Sequence, residues 1–411
     1  MHKIDPSVMQ AGAVAAAACG LIACPAASAQ ELRGEVTVSA GAVIVDNPYL
    51  ETNDAGVTAG ANLQVQPRLT YDNSVTRVDL VALAQGKAYA DSYDFEDNYA
   101  VSTALRHRFS DRMQLRATGG LTSNVARGTD LLGGAFPTDG PALPGTPAPL
   151  PIEDITVIGQ RGRTTTLSLG TGVDWTVDAR NQLSFDHTFQ RSSFDQPNTS
   201  NYNIYQGEAR YTRVLTERTS VGLIAGYQVS DFGDPLSPDA GSVLGLASIA
   251  HRLSEAWSLS ASVGVNRTRI DASPVQPRQT RTTLATRVNL CRRDSRETFC
   301  VDLRRQPQPA ATGSVRNSTV IAANYSYRLS ERDNVTLGGI YSRSSALRDI
   351  GPIIDGPTDF IGVRGRYTRR ISERLSGYAE ASVDRISGAN QSIEPRKLIG
   401  VGVSYTFGRG R

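Results

Sequence analysis

The feature that most constrains this chain is a two-residue alternation of apolar and polar side chains, repeated in segments of roughly ten residues along nearly its whole length. Trp257, Leu259, Ala261, Val263 and Val265 fall on one register, and Ser258, Ser260, Ser262, Gly264, Asn266 and Thr268 on the other. Leu63, Val65, Pro67, Leu69 and Tyr71 alternate in the same way with Asn62, Gln64, Gln66, Arg68 and Thr70. Period two is the signature of a strand, and this length is what a tilted strand needs to cross a bilayer. No apolar run of 18 residues occurs after position 30 and the mean hydropathy is −0.27, so a bundle of transmembrane helices is excluded. A barrel shows lipid only every second side chain, so its average stays as polar as that of a soluble protein.

The reversals between these segments sort into two kinds, which a soluble sandwich would not require. Short ones recur near Asp111, Asp178, Glu217, Glu255, Asp294, Glu331 and Glu373, at intervals of 67, 39, 38, 39, 37 and 42 residues. They resemble one another: Arg108-Phe109-Ser110-Asp111-Arg112, Arg213-Val214-Leu215-Thr216-Glu217-Arg218, Arg252-Leu253-Ser254-Glu255, Arg328-Leu329-Ser330-Glu331-Arg332 and Arg370-Ile371-Ser372-Glu373-Arg374. Longer, variable connections are expected at 47–56, 91–97, 125–163, 195–201, 231–240, 271–280, 307–317, 348–359 and 389–397. With a further turn at Tyr71-Asp72-Asn73 there are eight short turns and nine long loops. The expected fold is therefore all-β: a transmembrane antiparallel up-and-down barrel of about 18 strands, or 16 if one weak hairpin does not form. Short turns would be periplasmic and long loops extracellular, which puts both termini in the periplasm of a Gram-negative bacterium and the barrel in its outer membrane.

Residues 1–29 read as a secretory signal, with Lys3 near the start, an apolar stretch from Ala11 to Ile22 and Ala27-Ser28-Ala29 before Gln30. A competing reading is lipoprotein processing at Leu21-Ile22-Ala23-Cys24. The barrel then occupies 30–411, with Cys291 and Cys300 as its cysteines. Their spacing centres a polar turn between Ser295 and Arg296 and sets the two directly opposite on one face of a hairpin, where a disulfide staple is expected. The last segment alternates Ile399, Val401, Val403, Tyr405 and Phe407 with small and polar residues. It resembles the C-terminal signal read by the barrel-assembly machinery, except that Gly408-Arg409-Gly410-Arg411 follows the final aromatic.

The connection at 125–163 holds six prolines and several glycines, so it forms no strands of its own. It is either a constriction folded into the barrel mouth or an extracellular tip. Its tail, Glu153-Asp154-Ile155-Thr156-Val157-Ile158-Gly159-Gln160-Arg161, looks like the segment before the plug of TonB-dependent receptors, but it lies mid-chain with no plug-sized domain attached and is treated as a coincidence.

If the apolar register faces lipid, the lumen receives Arg68, Arg77, Arg106, Arg108, Arg116, Arg210, Arg287, Arg304, Arg328, Arg364 and Arg366, with Asp79, Asp174, Asp186, Glu208, Asp302, Glu380 and Asp384. That interior is hydrated and mildly positive. It either favours anionic solutes, as arginine-lined pores do, or is a salt-bridged wall of little selectivity. Nothing points to a metal, a cofactor or a catalytic centre: the histidines at 2, 107, 187 and 251 have no ligand spacing, and no nucleophile or nucleotide motif is present. His187, on the apolar register with Leu183, Phe185 and Phe189, is the one candidate for an outer-membrane hydrolase. The 43 basic and 40 acidic residues are scattered, which gives no nucleic-acid footprint.

Asp46-Asn47-Pro48-Tyr49-Leu50, Val65-Gln66-Pro67-Arg68-Leu69-Thr70-Tyr71, Arg77-Val78-Asp79-Leu80-Val81-Ala82, Tyr93 and Asp97-Asn98-Tyr99 form a recognisable layout. It resembles the second group of outer-membrane β-barrel porins, often found with exopolysaccharide or exosortase loci. The resemblance covers the N-terminal third by motif and the rest by hairpin pattern. It implies a porin-like pore passing or exporting surface polysaccharide or other anionic solutes, and it supplies no catalytic residues. The alternative is a non-conducting structural or assembly barrel whose extracellular loops bind surface polymer. Expected partners are outer-membrane lipid and lipopolysaccharide, the barrel-assembly machinery and polysaccharide export components.

Overall fold

The computed structural model describes residues 31–50, 56–90, 95–125, 154–158, 162–274, 277–347, 356–388 and 391–408. The signal segment 1–29 and most of the 125–163 connection, including its prolines, lie outside the described residues. Strands β1 (Glu31–Asp46), β2 (Val57–Asp72), β3 (Thr76–Tyr89), β4 (Glu96–Ser110), β5 (Met113–Val125), β6 (Arg163–Thr176), β7 (Asn181–Phe194), β8 (Tyr202–Thr216) and β9 (Thr219–Phe232) make up the first half of the ring. The second half is β10 (Ala240–Arg252), β11 (Trp257–Ile270), β12 (Gln279–Arg293), β13 (Glu297–Ala310), β14 (Ser314–Arg328), β15 (Asp333–Ala346), β16 (Thr358–Arg370), β17 (Leu375–Gly388) and β18 (Arg396–Phe407). A two-residue strand, Gln391–Ser392, extends the edge of β17. Every strand pairs antiparallel with its sequence neighbours, and β18 returns to β1 from Val36 opposite Phe407 to Asp46 opposite Lys397. The barrel is closed and has 18 strands, not 16.

The long strands have 12 to 16 residues, more than the ten expected from the alternation. Only 9–11 tilted residues would be needed to cross hydrocarbon, so strands of this length would carry the ladder past a bilayer at each end. The short turns form where the sequence placed them, and their chemistry is local. Ser330 Oγ accepts from the backbone N–H of Arg332 and Asp333, both at 3.1 Å, and Ser372 Oγ accepts from Leu375 N at 3.1 Å. Asp178 Oδ1 accepts from Arg180 N at 2.8 Å and Asn181 N at 3.0 Å. A small polar residue in this position bonds the backbone two or three residues on and fixes the reversal.

The apolar register points outward: Leu223 is 64% exposed, Val243 65% and Ile399 67%. Aromatic side chains ring this belt near both ends. Trp175, Tyr367, Tyr405 and Phe407 lie toward the short turns, and Tyr99, Tyr205 and Tyr227 toward the long loops, as in the two interfacial girdles of membrane barrels. Cys291 and Cys300 are bonded across β12 and β13, with Cα atoms 4.1 Å apart.

Two departures from a uniform cylinder position the site. First, the inner register of β9 to β11 is rich in small residues, among them Gly222, Gly226, Ser258, Ser260, Ser262 and Gly264. A Cβ on Gly264 would lie 1.9 Å from Gly245 O, so the close approach here requires glycine. The sheet turns a sharp corner, and strands two apart, β10 with β12 and β11 with β13, come close to each other.

Second, the long loop expected at 307–317 does not exist. The strands run on to a three-residue reversal at 311–313. Alternate residues of an antiparallel strand direct their backbone groups to the same neighbour. Pro307 and Pro309 therefore delete donors on one side only. The pairing of β13 with β12 stops at Arg305, while pairing with β14 continues to Ala310 opposite Ser314. Released on that side, the hairpin tip leans across the barrel mouth. Ser200 N, in the β7–β8 connection, donates to Ala311 O at 2.7 Å. Residues of both registers in the tip are buried, including Pro309, Ala310, Val315, Arg316 and Asn317.

Candidate functional site

Bonds between strands that are not neighbours identify the inner face. Arg287 on β12 donates from Nη1 to Glu208 Oε2 on β8 at 2.8 Å. The three intervening strands leave only the barrel interior for this contact. The small-residue corner makes it reachable. By strand parity the predicted lumen residues share this face, and most form bonded clusters.

Near the short turns of the first strands, Arg77 Nε donates to Asp79 Oδ2 at 2.9 Å, Arg68 lies 3.7 Å from the same carboxylate, and Thr70 Oγ1 donates to it at 2.9 Å. Arg106 stands in register opposite Arg77 and Arg116. Arg116 forks onto Asp174 at 2.7 and 3.0 Å and reaches Asp186 at 2.9 Å, tying β5, β6 and β7 together. Two clusters lie near the middle of their strands. In one, Glu208 is bonded by Arg287 and by Arg210 at 3.0 Å, and Arg304 stands directly opposite Arg287 in register. In the other, Glu380 accepts from Arg364, with Arg366 at 3.9 Å and its guanidinium 4.0 Å above the Tyr378 ring. Asn289 Nδ2 donates to Asp302 Oδ1 at 2.6 Å.

Arg108 and Arg328 are different. Both are exposed at the short-turn rim, where Arg108 Nη2 donates to Ser74 O at 2.8 Å. Asp384 sits 3.8 Å from Arg396, and both are fully buried. Arg396 was missed in the sequence, although it continues the inner register of Gly400 and Ser404. His187 is exposed on the outer face, in register with Thr171 and Gly207. No His, Cys, Asp and Glu grouping among the described residues is arranged to hold a metal.

The mouth at the long-loop end is packed, and this was not anticipated residue by residue. The tail of the 125–163 connection makes a single 3-10 turn at Ile155–Val157. Ile155 and Ile158 pack with Leu50 against Val320, Ile340, Phe360 and Ile386, the inner residues of β14 to β17. Val157 belongs to a second buried cluster with Phe194, Tyr202, Ile204, Phe232, Ala240 and Ile270, from β7 to β11, and with Ala311 and Val315 of the leaning hairpin. Since β8 and β17 are nine strands apart in a ring of 18, residues 154–158 bridge opposite walls. Asp154 fixes the bridge: its carboxylate accepts from Ala311 N, from Thr156 N at 3.0 Å and from Thr156 Oγ1 at 2.7 Å. Although Asp154 is only half-buried overall, its carboxyl is enclosed, and this desolvation raises its pKa above the ordinary value against those bonds and the Arg316 charge. Asn47 and Leu50 adopt left-handed backbone angles, φ 49° and 53°, which turn Leu50 into the same packing, with Pro48 and Tyr49 buried beside it in the chain. The signal that could have revealed the mouth was present: Phe360, Ile386 and Phe232 stand on the inner register at the long-loop ends of their strands.

No protein-family model matches the chain and no curated protein matches it, so the resemblance to the β-barrel porin group rests on the residues quoted above. Solved structures similar to it include Pseudomonas aeruginosa OccK2 (OpdF), at 12% identity over 92% of this chain and 99% of that one, with a TM-score of 0.43. OccK9 (OpdG) of the same organism has 11% identity over 91% and 98% of the two chains, with a TM-score of 0.46. The FrpB iron transporter from Neisseria meningitidis has 7% identity over 87% of this chain and 63% of that one, with a TM-score of 0.45.

Proposed function

We propose that this chain is an outer-membrane channel that admits anionic solutes, acidic sugars of surface polysaccharide among them, through a mouth narrowed by its own inward-folded segments. The observation that carries this reading is the placement of charge. Glu208 is surrounded by Arg210, Arg287 and Arg304, and Glu380 on the facing wall by Arg364 and Arg366, so both mid-height clusters keep a net positive charge inside an apolar-skinned barrel. Side chains in an aqueous lumen attract the counter-charge they lack, and rings of arginine select anions. Both described chain ends lie on the short-turn side, which in this reading is the periplasmic one, with lipid and lipopolysaccharide against the outer belt.

One observation favours a second reading. The apolar contacts across the mouth suit a barrel that stays shut and offers its loops to surface polymer. Planar bilayers separate the two. A channel gives discrete current steps from the folded protein and, across a KCl gradient, a reversal potential toward chloride. No current steps from correctly folded protein would leave the closed, polymer-binding barrel.

A further inference from the structure

We propose that the inner wall from β8 to β13 carries a binding site for a carboxylated sugar, in which Arg287 and Arg304 take the carboxylate and a row of amides takes the hydroxyls. The starting point is an unfavourable pair. Arg287 and Arg304 are directly opposite one another on the inner face, an arrangement in which like charges repel. Glu208, the carboxylate facing this pair, is already engaged by Arg287 at 2.8 Å and Arg210 at 3.0 Å. Arg304 is left with a buried Nε that has no hydrogen-bond partner. Three guanidiniums around one carboxylate leave positive charge uncompensated, which a second anion would match, and a guanidinium binds a carboxylate through two parallel bonds.

The surroundings narrow the class. A small cavity beside Arg287 is lined by Gln206, Gln228, Ser242, Asn266 and Gln306 together with the apolar Leu244 and Pro307. These stand on the mouth side of the arginines, and Asn266 and Gln306 are each only 5% exposed. An amide offers both donors and an acceptor, the pairing that a vicinal diol requires, whereas a simple inorganic anion uses donors alone. The leaning hairpin supplies Gln306 and Pro307, so the same proline break that narrows the mouth also completes this wall. A uronic acid, with one carboxylate and several hydroxyls, matches both halves of the site.

This inference rests on the channel reading only for how the sugar arrives, so binding and conduction are measured separately. Folded protein in detergent is titrated calorimetrically with sodium galacturonate, galactose and inorganic phosphate. Folding of each variant is checked by heat-modifiable electrophoretic mobility. Galacturonate is expected to bind at least tenfold more tightly than either control. Arg304→Lys, which keeps the charge and loses the fork, should weaken galacturonate at least tenfold, and Gln306→Ala should weaken galacturonate while leaving phosphate unchanged. Arg293→Gln, at a short turn, should change nothing. Equal binding of phosphate and galacturonate, no galacturonate binding, or full affinity in folded Arg304→Lys would overturn the site. Binding without current would overturn the channel alone, and current without binding the site alone.

Discussion

Removing two side chains from the bridge across the mouth should open the barrel. Ile155, Val157 and Ile158 are 3%, 5% and 6% exposed, so each contributes about 1.5–3 kcal/mol of burial, or about 4.5–9 kcal/mol together. Holding the five residues 154–158 in one conformation costs about 1–2 kcal/mol each, or about 5–10 kcal/mol. The two terms nearly cancel, and the hydrogen bonds to Asp154 add about 1–3 kcal/mol in favour of docking. The bridge is therefore held by a margin of only a few kcal/mol. Ile155→Ala with Ile158→Ala removes about 2.4 kcal/mol at each position by methylene count, about 5 kcal/mol in all, which exceeds that margin and shifts the docking equilibrium by roughly three to four orders of magnitude. Two assays read the result. Single-channel conductance should rise, and a cysteine placed at Thr156 should react with a maleimide added to the long-loop side far faster in the double variant than without it. Unchanged conductance together with unchanged labelling would refute the reasoning, because it would mean that apolar burial does not hold this segment.

Three further outcomes are expected. Replacing Cys291 and Cys300 by serine opens a loop of nine residues' separation, and the chain-entropy relation assigns such a loop about 2.7 kcal/mol; the measured urea stability in lipid vesicles should fall by about that amount, and no fall would remove the staple's role. The raised pKa of Asp154 means that docking is fully favoured below the ordinary carboxylate value of about 3.9 and weakens as pH rises through the raised folded value. Conductance should accordingly fall on acidification through that window and lose this dependence in Asp154→Asn, whereas an identical pH profile in that variant would show that another group controls the mouth. Leu63 is 54% exposed on the outer face and Gln64 faces the lumen, so Leu63→Arg should cost about 2–4 kcal/mol of stability in bilayers while Gln64→Arg costs little. Equal costs would contradict the assignment of faces.

Much of this barrel is a local property, and local properties are legible in a chain. Alternation at period two assigns each side chain to a face, and a polar reversal such as Arg370-Ile371-Ser372-Glu373-Arg374 specifies its own turn through bonds of two or three residues' span. Counting such turns therefore gave the strand number and the shared side of the termini. The cysteine pair was legible for the same reason, since both residues lie on one hairpin. The pairing of Arg364 with Glu380 is likewise confined to neighbouring strands.

What the sequence could not determine depends on which walls meet. Pro307 and Pro309 read locally as a loop, because proline breaks ladders. Only the neighbour on each side decides that one ladder stops while the other continues to the turn. Glu208 and Arg287 are 79 residues apart and come together only because small inner side chains bend the ring at β9 to β11. Phe360 and Phe232 look like irregularities in a polar register until the ring closes and residues 154–158 cover them. Side-chain direction is set residue by residue, and the chain by itself determined it. Which inner side chains touch is set by curvature and closure, and these belong to the whole barrel.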